Sequence, residues 1–227
     1  MKLNWRNTVI ISCLFLTRNL NAQNDFGIWS GLELNAPITK DINIGVEVET
    51  RFDRNASRMK TAFISPFAGW EVSKHFKVGV NYRLSSSPYS ALTDNRIASH
   101  RYALDIEFRN ILELINVKPR LGLTLRLRGT KEFENLKRTD NYLRLRIKAD
   151  YSTSKSKFEP YFYAELFYHL KDQITYTYSE VKTFNTINKF RASIGLKYSI
   201  SKQHEIKLFS IYQSQIQKSE NDFILGA

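Results

Sequence analysis

The sequence predicts an all-β chain, an antiparallel up-and-down transmembrane β-barrel of about 10–12 strands. Three observations carry this reading. Apolar and charged residues alternate with period two in almost every segment, connections alternate between short and long, and the N-terminus has the layout of an export signal.

The export signal comes first in the chain. Lys2 and Arg6 precede the apolar stretch VIISCLFL (9–16), and LNAQ offers a cleavage point after Ala22. The stretch is far shorter than the roughly 18–20 apolar residues of a spanning helix. Residues 1–22 are therefore expected to be a signal peptide and residues 23–227 one barrel domain, since no Pro, Gly or Ser linker divides them. Removing Lys2, Arg6 and Arg18 leaves 31 basic and 22 acidic side chains, a net charge of +9. Cys13 leaves with the signal, so a disulfide scaffold and cysteine-based metal or redox chemistry are excluded.

The strands follow in order. FGIWSGLELN (26–35) is an imperfect first strand, and INIGVEVETRF (42–52) sets Ile42, Ile44, Val46 and Val48 against Glu47, Glu49 and Arg51. KTAFISPFAGWEV (60–72) and HFKVGVNYRL (75–84) continue the pattern, the latter opposing Val78, Val80 and Tyr82 to Lys77 and Arg83. SHRYALDIEFRN (99–110) is the cleanest, with Tyr102, Leu104, Ile106 and Phe108 against Arg101, Asp105, Glu107 and Arg109. PRLGLTLRLRG (119–129) opposes leucines to Arg126 and Arg128, and NYLRLRIKADY (141–151) does so with Arg144, Arg146 and Lys148. FEPYFYAELFYHL (158–170), carrying Glu165, is apolar on both sides. KFRASIGLKYSI (189–200) returns to Lys189, Arg191 and Lys197, HEIKLFSIYQSQ (204–215) carries Lys207, and DFILGA closes the chain as a short strand.

Short connections at 73–74, 152–157 and 201–204 interleave with long polar ones at 53–59, 85–96, 131–140 and 171–186. Barrels of the outer membrane have this asymmetry, with tight periplasmic turns and longer external loops. Within the last loop, YTYSEV (176–181) could extend the flanking strands. Periodicity alone does not say which face is inside. A soluble lipocalin-like barrel would turn its charges to water, whereas a membrane barrel would gather them in the lumen. Strand lengths near the tilted span of a bilayer favour the membrane. So do Tyr82, Tyr142, Tyr151, Tyr168, Tyr198, Tyr212, Trp29 and Trp70, placed near strand ends where an aromatic girdle would sit.

On that reading the lumen holds a charge network of Glu47, Glu49, Arg51, Arg83, Arg101, Asp105, Glu107, Arg109, Arg126, Arg128, Arg144, Arg146, Lys148, Glu165, Arg191, Lys197 and Lys207, in which bases dominate. The layout WSGLEL, INIGVEVETRF, NYR, HRYALDIEFRN, PRLGLTLRLRG and KFRASIGLKYSISKQHEIKLFSIYQSQI resembles the domain-of-unknown-function 2490 family, outer-membrane β-barrel proteins of Gram-negative bacteria, over residues 26–227. The resemblance implies the barrel fold and the outer membrane, and supplies no activity. Family members continue past the ILG of the last strand to an aromatic-rich end, so the last strand is expected to be truncated at Ala227. Ten good segments and a short eleventh leave a count of ten or twelve open, because an even number keeps both ends on one side.

Candidate chemistry is sparse. Hydrolysis would need a nucleophile beside an oriented base. Ser99 and His100 are adjacent and so point to opposite faces of a strand. His169 shares a face with Glu165, but that strand holds no serine. The same-face pairs Glu47/Glu49 and Asp105/Glu107 could do acid and base work. Arg51 and Arg109, each two residues further on, make ion pairing the expected role. No metal cluster or cofactor motif stands out, and the dispersed bases argue against nucleic acid. The expected protein is a structural barrel or a small pore with a basic, anion-favouring lumen. A lipid-modifying enzyme of the outer membrane, with His100 and His169 as suspects, and a soluble lipid-binding barrel are the alternatives. Expected partners are outer-membrane lipids, lipopolysaccharide phosphates at Arg54, Arg58, Lys60, Lys131, Lys137 and Arg138, and the barrel assembly machinery during insertion.

Overall fold

A computed structural model describes residues 24–90, 93–114, 121–134, 138–152, 156–170, 186–201, 203–216 and 220–227. The proposed signal peptide, and YTYSEV in the last long loop, lie outside them. Eleven strands close into one barrel in sequence order. They are β1 (Asn24–Pro37), β2 (Ile42–Asp53), β3 (Arg58–Ser73), β4 (Phe76–Ser90), β5 (Thr93–Phe108), β6 (Leu121–Glu134), β7 (Arg138–Tyr151), β8 (Phe158–His169), β9 (Thr186–Ser199), β10 (Glu205–Gln215) and β11 (Glu220–Gly226). One helical turn, α1 (Ile111–Leu114), lies between β5 and β6.

The period-two alternation sorts the two faces. Ile194 (66 % exposed) and Leu104 (49 %) point outward, whereas Glu165 is 1 % exposed and Asp105 8 %. Apolar side chains therefore coat the outside and charged ones fill the inside, the arrangement of a membrane barrel and the reverse of a soluble lipid-binding one. Trp70, Tyr151, Tyr168 and Tyr212 are exposed on the outer face, as a girdle requires. Trp29 and Tyr142 depart from the expectation. Trp29 pairs in register with Arg51 and is buried in the lumen, and Tyr142 stacks on His169 at 4.8 Å between ring centroids. Each shares the inward parity of its strand, and proximity to a strand end does not override that parity.

The loop asymmetry takes a different form from the expected one. Residues 85–96 and 131–140 are mostly strand, because β4 runs to Ser90, β5 begins at Thr93, β6 runs to Glu134 and β7 begins at Arg138. Main-chain pairing needs no apolar side chains, and polar ones support it here. The hydroxyls of Ser85 and Ser99 lie 2.6 Å apart, and Arg96 Nη2 donates to the Ser86 carbonyl at 2.7 Å. Strands of 14 to 16 residues such as β3, β5 and β6 exceed the ~9–11 of a tilted span, so these hairpins project beyond the apolar band. We call the end with connections 54–57 and 170–185 the loop end, and the end with 38–41, 74–75 and 152–157 the turn end. At the turn end the 109–120 connection is itself long and carries α1.

The strand count is eleven, not ten or twelve, because both the weak first segment and the short last one are strands. An odd up-and-down count makes the first and last strands run in the same direction. Accordingly every pairing is antiparallel except β1 with β11, which is parallel from Asn24↔Asn221 to Trp29↔Gly226. Below this short seam, among the described residues, Leu32–Pro37 of β1 and Glu205–Leu208 of β10 have no ladder partner on their facing edges. Inside the seam, Trp29, Ile211 and Ile224 form a buried apolar cluster against which Phe209 packs. The lumen also holds aromatic rings over glycines directly across the ladder. Tyr161 covers Gly195 and Phe209 covers Gly226, where a Cβ would collide with the ring.

Candidate functional site: an arginine-rich lumen

Register places the inward charges opposite one another. Asp105 lies across from Arg128, Glu107 from Arg126 and Arg101 from Glu132. Glu165 on β8 has Arg146 on one side and Arg191 on the other. Direct cross-strand neighbours sit close enough for charged side chains to meet. Arg128 grips Asp105 through Nε at 2.5 Å and Nη2 at 2.6 Å, and Arg101 Nη2 donates to Glu132 at 2.6 Å.

The centre of the lumen is a belt across five strands. Arg146 Nε donates to Glu165 Oε1 at 2.5 Å, and Arg191 Nη1 to Glu165 Oε2 at 3.2 Å. Arg191 Nη2 then donates to Gln213 at 2.7 Å, and Gln213 Nε2 donates to Asp222 at 2.8 Å. Arg144 Nε adds a third guanidinium 3.8 Å from Glu165 Oε1. One carboxylate thus faces three arginines, an excess of positive charge in a wall that water reaches poorly.

The remaining sequence-expected residues are also paired. Arg83 reaches Glu47 at 3.3 Å, Arg51 reaches Glu49 at 2.5 Å and Arg126 reaches Glu107 at 3.4 Å. Lys148 faces Asp150 at 3.2 Å, Lys197 faces Glu159 at 3.9 Å and Lys207 faces Glu205 at 3.4 Å. Arg51 neutralises Glu49 as expected, but Arg109 does not neutralise Glu107. It turns to Glu71 at 3.0 Å near the turn end, and the Asp105/Glu107 pair is held by Arg128 and Arg126. The pairs are of three kinds: direct cross-strand neighbours such as Asp105 and Arg128, same-strand residues two apart such as Glu49 and Arg51, and residues two strands apart such as Glu71 and Arg109. Glu132, Gln213 and Asp222 belong to this network and were missed, because pairing partners come from the register and not from one strand's pattern.

Trp29 is the other missed residue. Arg51 lies 3.8 Å and Arg191 5.1 Å from its ring centroid, so two guanidiniums flank one indole. These three residues line both a cavity of about 450 Å³ on the turn-end side, walled by Arg126, Arg128, Arg144 and Arg146, and a smaller one of about 200 Å³ on the loop-end side. They form the septum between the two.

Among the described residues the four histidines lie apart from one another. His100 is on the outer face, where its Nδ1 lies 2.7 Å from Tyr82 Oη, while Ser99 points inward to Ser85 and Glu132. His169 is buried in the lumen against Tyr142. Among the described residues a serine meets a histidine side chain only in the exposed turn-end hairpin, where Ser201 Oγ lies 2.9 Å from His204 Nδ1. His75 Nδ1 lies 3.2 Å from the Arg109 carbonyl. No group of three metal-ligating side chains converges among the described residues.

Comparison with known proteins adds a family and two distantly similar solved structures. No curated protein matches the chain. The translocator domain of autotransporter NalP from Neisseria meningitidis is similar at 11% identity and a TM-score of 0.43, over 95% of this chain and 91% of that one. A chain described under "Unveiling the Mechanism Behind the in-meso Crystallization of Membrane Proteins" is similar at 13% identity and a TM-score of 0.40, over 87% and 77%. The sequence profile described as Protein of unknown function (DUF2490) matches residues 26–223, and the chain belongs to that family.

Proposed function

We propose that the protein spans the outer membrane as a narrow, non-catalytic barrel whose basic lumen admits small anions. The observation that carries this reading is the central belt, where Arg144, Arg146 and Arg191 share the single carboxylate of Glu165. Rings of arginine and lysine favour anions in pores. The lumen is filled by paired side chains and divided by Trp29, which supports a low conductance. The exposed apolar band and the girdle of Trp70, Tyr151, Tyr168 and Tyr212 support the membrane location, with the loop end outward. Outer-membrane lipids are then the surroundings of the wall, lipopolysaccharide phosphates meet rim bases such as Lys131, and the assembly machinery inserts the chain. Planar-bilayer recording of the refolded protein tests the conduit. Small, discrete steps are expected, and none over many insertions would leave a purely structural barrel. The scattered histidines support the absence of catalysis. Lipid hydrolysis that is lost in His100→Ala or His169→Ala would reverse that part.

A further inference from the structure

On the outer face of β3 to β6 the register sets side chains in rows. Ala68 pairs with Val80, Val80 with Leu104 and Leu104 with Gly129. The next row towards the turn end is Trp70, Val78, Ile106 and Leu127, and the next towards the loop end holds Tyr82, Tyr102 and Lys131. The middle row begins on an alanine and ends on a glycine, which leaves its ends lower than the bulky rows beside it. A Cβ at Gly129 would meet nothing within 4 Å. The result is a trench of about 790 Å³ in the outer wall.

The trench slopes across the apolar band. At its upper end the row of Gly129 continues through Leu143 to Tyr168 of the girdle, and Lys131 stands one row further towards the loop end. At its lower end Ala68 is two residues from Trp70 on the same strand. Among the described residues Lys131 is the one charged residue of the lining. It is exposed, makes no ion pair among the described residues, and places Nζ 5.0 Å from the Phe133 ring centroid. Girdle aromatics mark the level of lipid headgroups. A lysine at that level lays its stem along the apolar wall and keeps its ammonium among the headgroups. A cation above an apolar trench matches a lipid that carries a phosphate over an acyl chain.

We propose that this trench is a fixed lipid site, taken by lipid A, the phosphorylated anchor of lipopolysaccharide, with a phosphate on Lys131 and one acyl chain along Gly129, Leu104, Val80 and Ala68. The volume of about 790 Å³ equals about 26 waters at roughly 30 Å³ each, room for a long chain. Bulk lipid is as apolar as the wall, so shape and charge select the occupant. A chain that fills the trench keeps dispersion contacts that a void would forfeit, and an ammonium binds phosphate oxygens through short, strong hydrogen bonds. The assignment rests on the reading above that the barrel spans the outer membrane with the loop end outward. It adds one defined place to the general contact with lipid.

Native mass spectrometry of the full chain, refolded in detergent micelles with lipid A and phosphatidylethanolamine in equal amounts, counts the lipids that each barrel retains. One lipid A per barrel is expected, with retention lowered at least about tenfold in Lys131→Gln and in Gly129→Phe, which fills the trench, and kept in Lys131→Arg. Lipid A stripped of its phosphates should be retained no better than phosphatidylethanolamine. Ile194→Phe, on the outer face of β9, should behave like wild type. Heat-modifiable migration on gels shows which variants are folded, and either of the first two suffices. No preference for lipid A in the wild type, or undiminished retention by a folded Lys131→Gln or Gly129→Phe variant, overturns the site. Barrels that insert across vesicle membranes yet show no such preference defeat the site alone, whereas barrels that do not insert defeat the spanning reading with it.

Discussion

Glu165 is the residue on which the interior depends most. It is 1 % exposed and answers to three guanidiniums, two of them within 3.2 Å. Removing one partner of a buried ion pair costs about 3–5 kcal/mol, because the other charge is left uncompensated. Glu165→Gln should therefore lower stability by about 3 kcal/mol in denaturant unfolding from lipid vesicles. An unchanged midpoint would mean that water already screens these arginines. Trp29 is the second residue to probe. Trp29→Ala removes the ring between the two cavities and should raise unit conductance severalfold in planar bilayers, unless Arg51 and Arg191 collapse into the space. Both roles were only half legible in the sequence. Alternation correctly sends Glu165 and Arg191 inward, yet it cannot show that three bases converge on one acid. Trp29 near a strand end looked like a girdle residue, and only its register with Arg51 reveals a lumen side chain.

Individual strands were legible because each repeats the same two-faced pattern, down to the weak first segment around FGIWSGLELN. Their ends were not. Polar stretches such as SSSPYS on β4 and KEFE on β6 read as loops, since alternation of apolar with charged residues stops there while main-chain pairing continues. The β2–β3 connection shows what a true turn needs. Arg54, Asn55 and Ala56 have φ of 52°, 56° and 62°, a left-handed run that costs a residue with a Cβ about 1–2 kcal/mol. Ala56→Gly should relieve that cost, partly offset by the freer unfolded chain, for a net gain of about 0.5–1 kcal/mol in unfolding free energy. A loss of stability would contradict the left-handed assignment. The seam invites a measurement of its own. With no ladder partner along their facing edges, amides of Leu32–Ala36 and Glu205–Leu208 that point into the gap should exchange within minutes. Those between β4 and β5, paired along almost their whole length, should persist far longer in hydrogen-exchange mass spectrometry. Equal protection would mean that something closes the gap.

At the scale of the molecule, two faces of opposite character define what the barrel can do. The apolar exterior demands lipid, and the interior combines carboxylates with a larger set of arginines and lysines. Strand number and closure could not be deduced from the pattern, because parity arguments assume an even barrel and this one closes through a parallel pair. The excess of bases over acids on the alternating charged faces, on which the proposed anion preference rests, can be counted in the sequence, whereas the division at Trp29 cannot be read there. The account stands or falls on whether that excess charge governs what passes. Reversal potential of the refolded barrel in a planar bilayer under a potassium chloride gradient measures this directly. The account predicts a potential of the sign set by chloride, and a shift towards zero in Arg144→Gln. A potential of the sign set by potassium would contradict it.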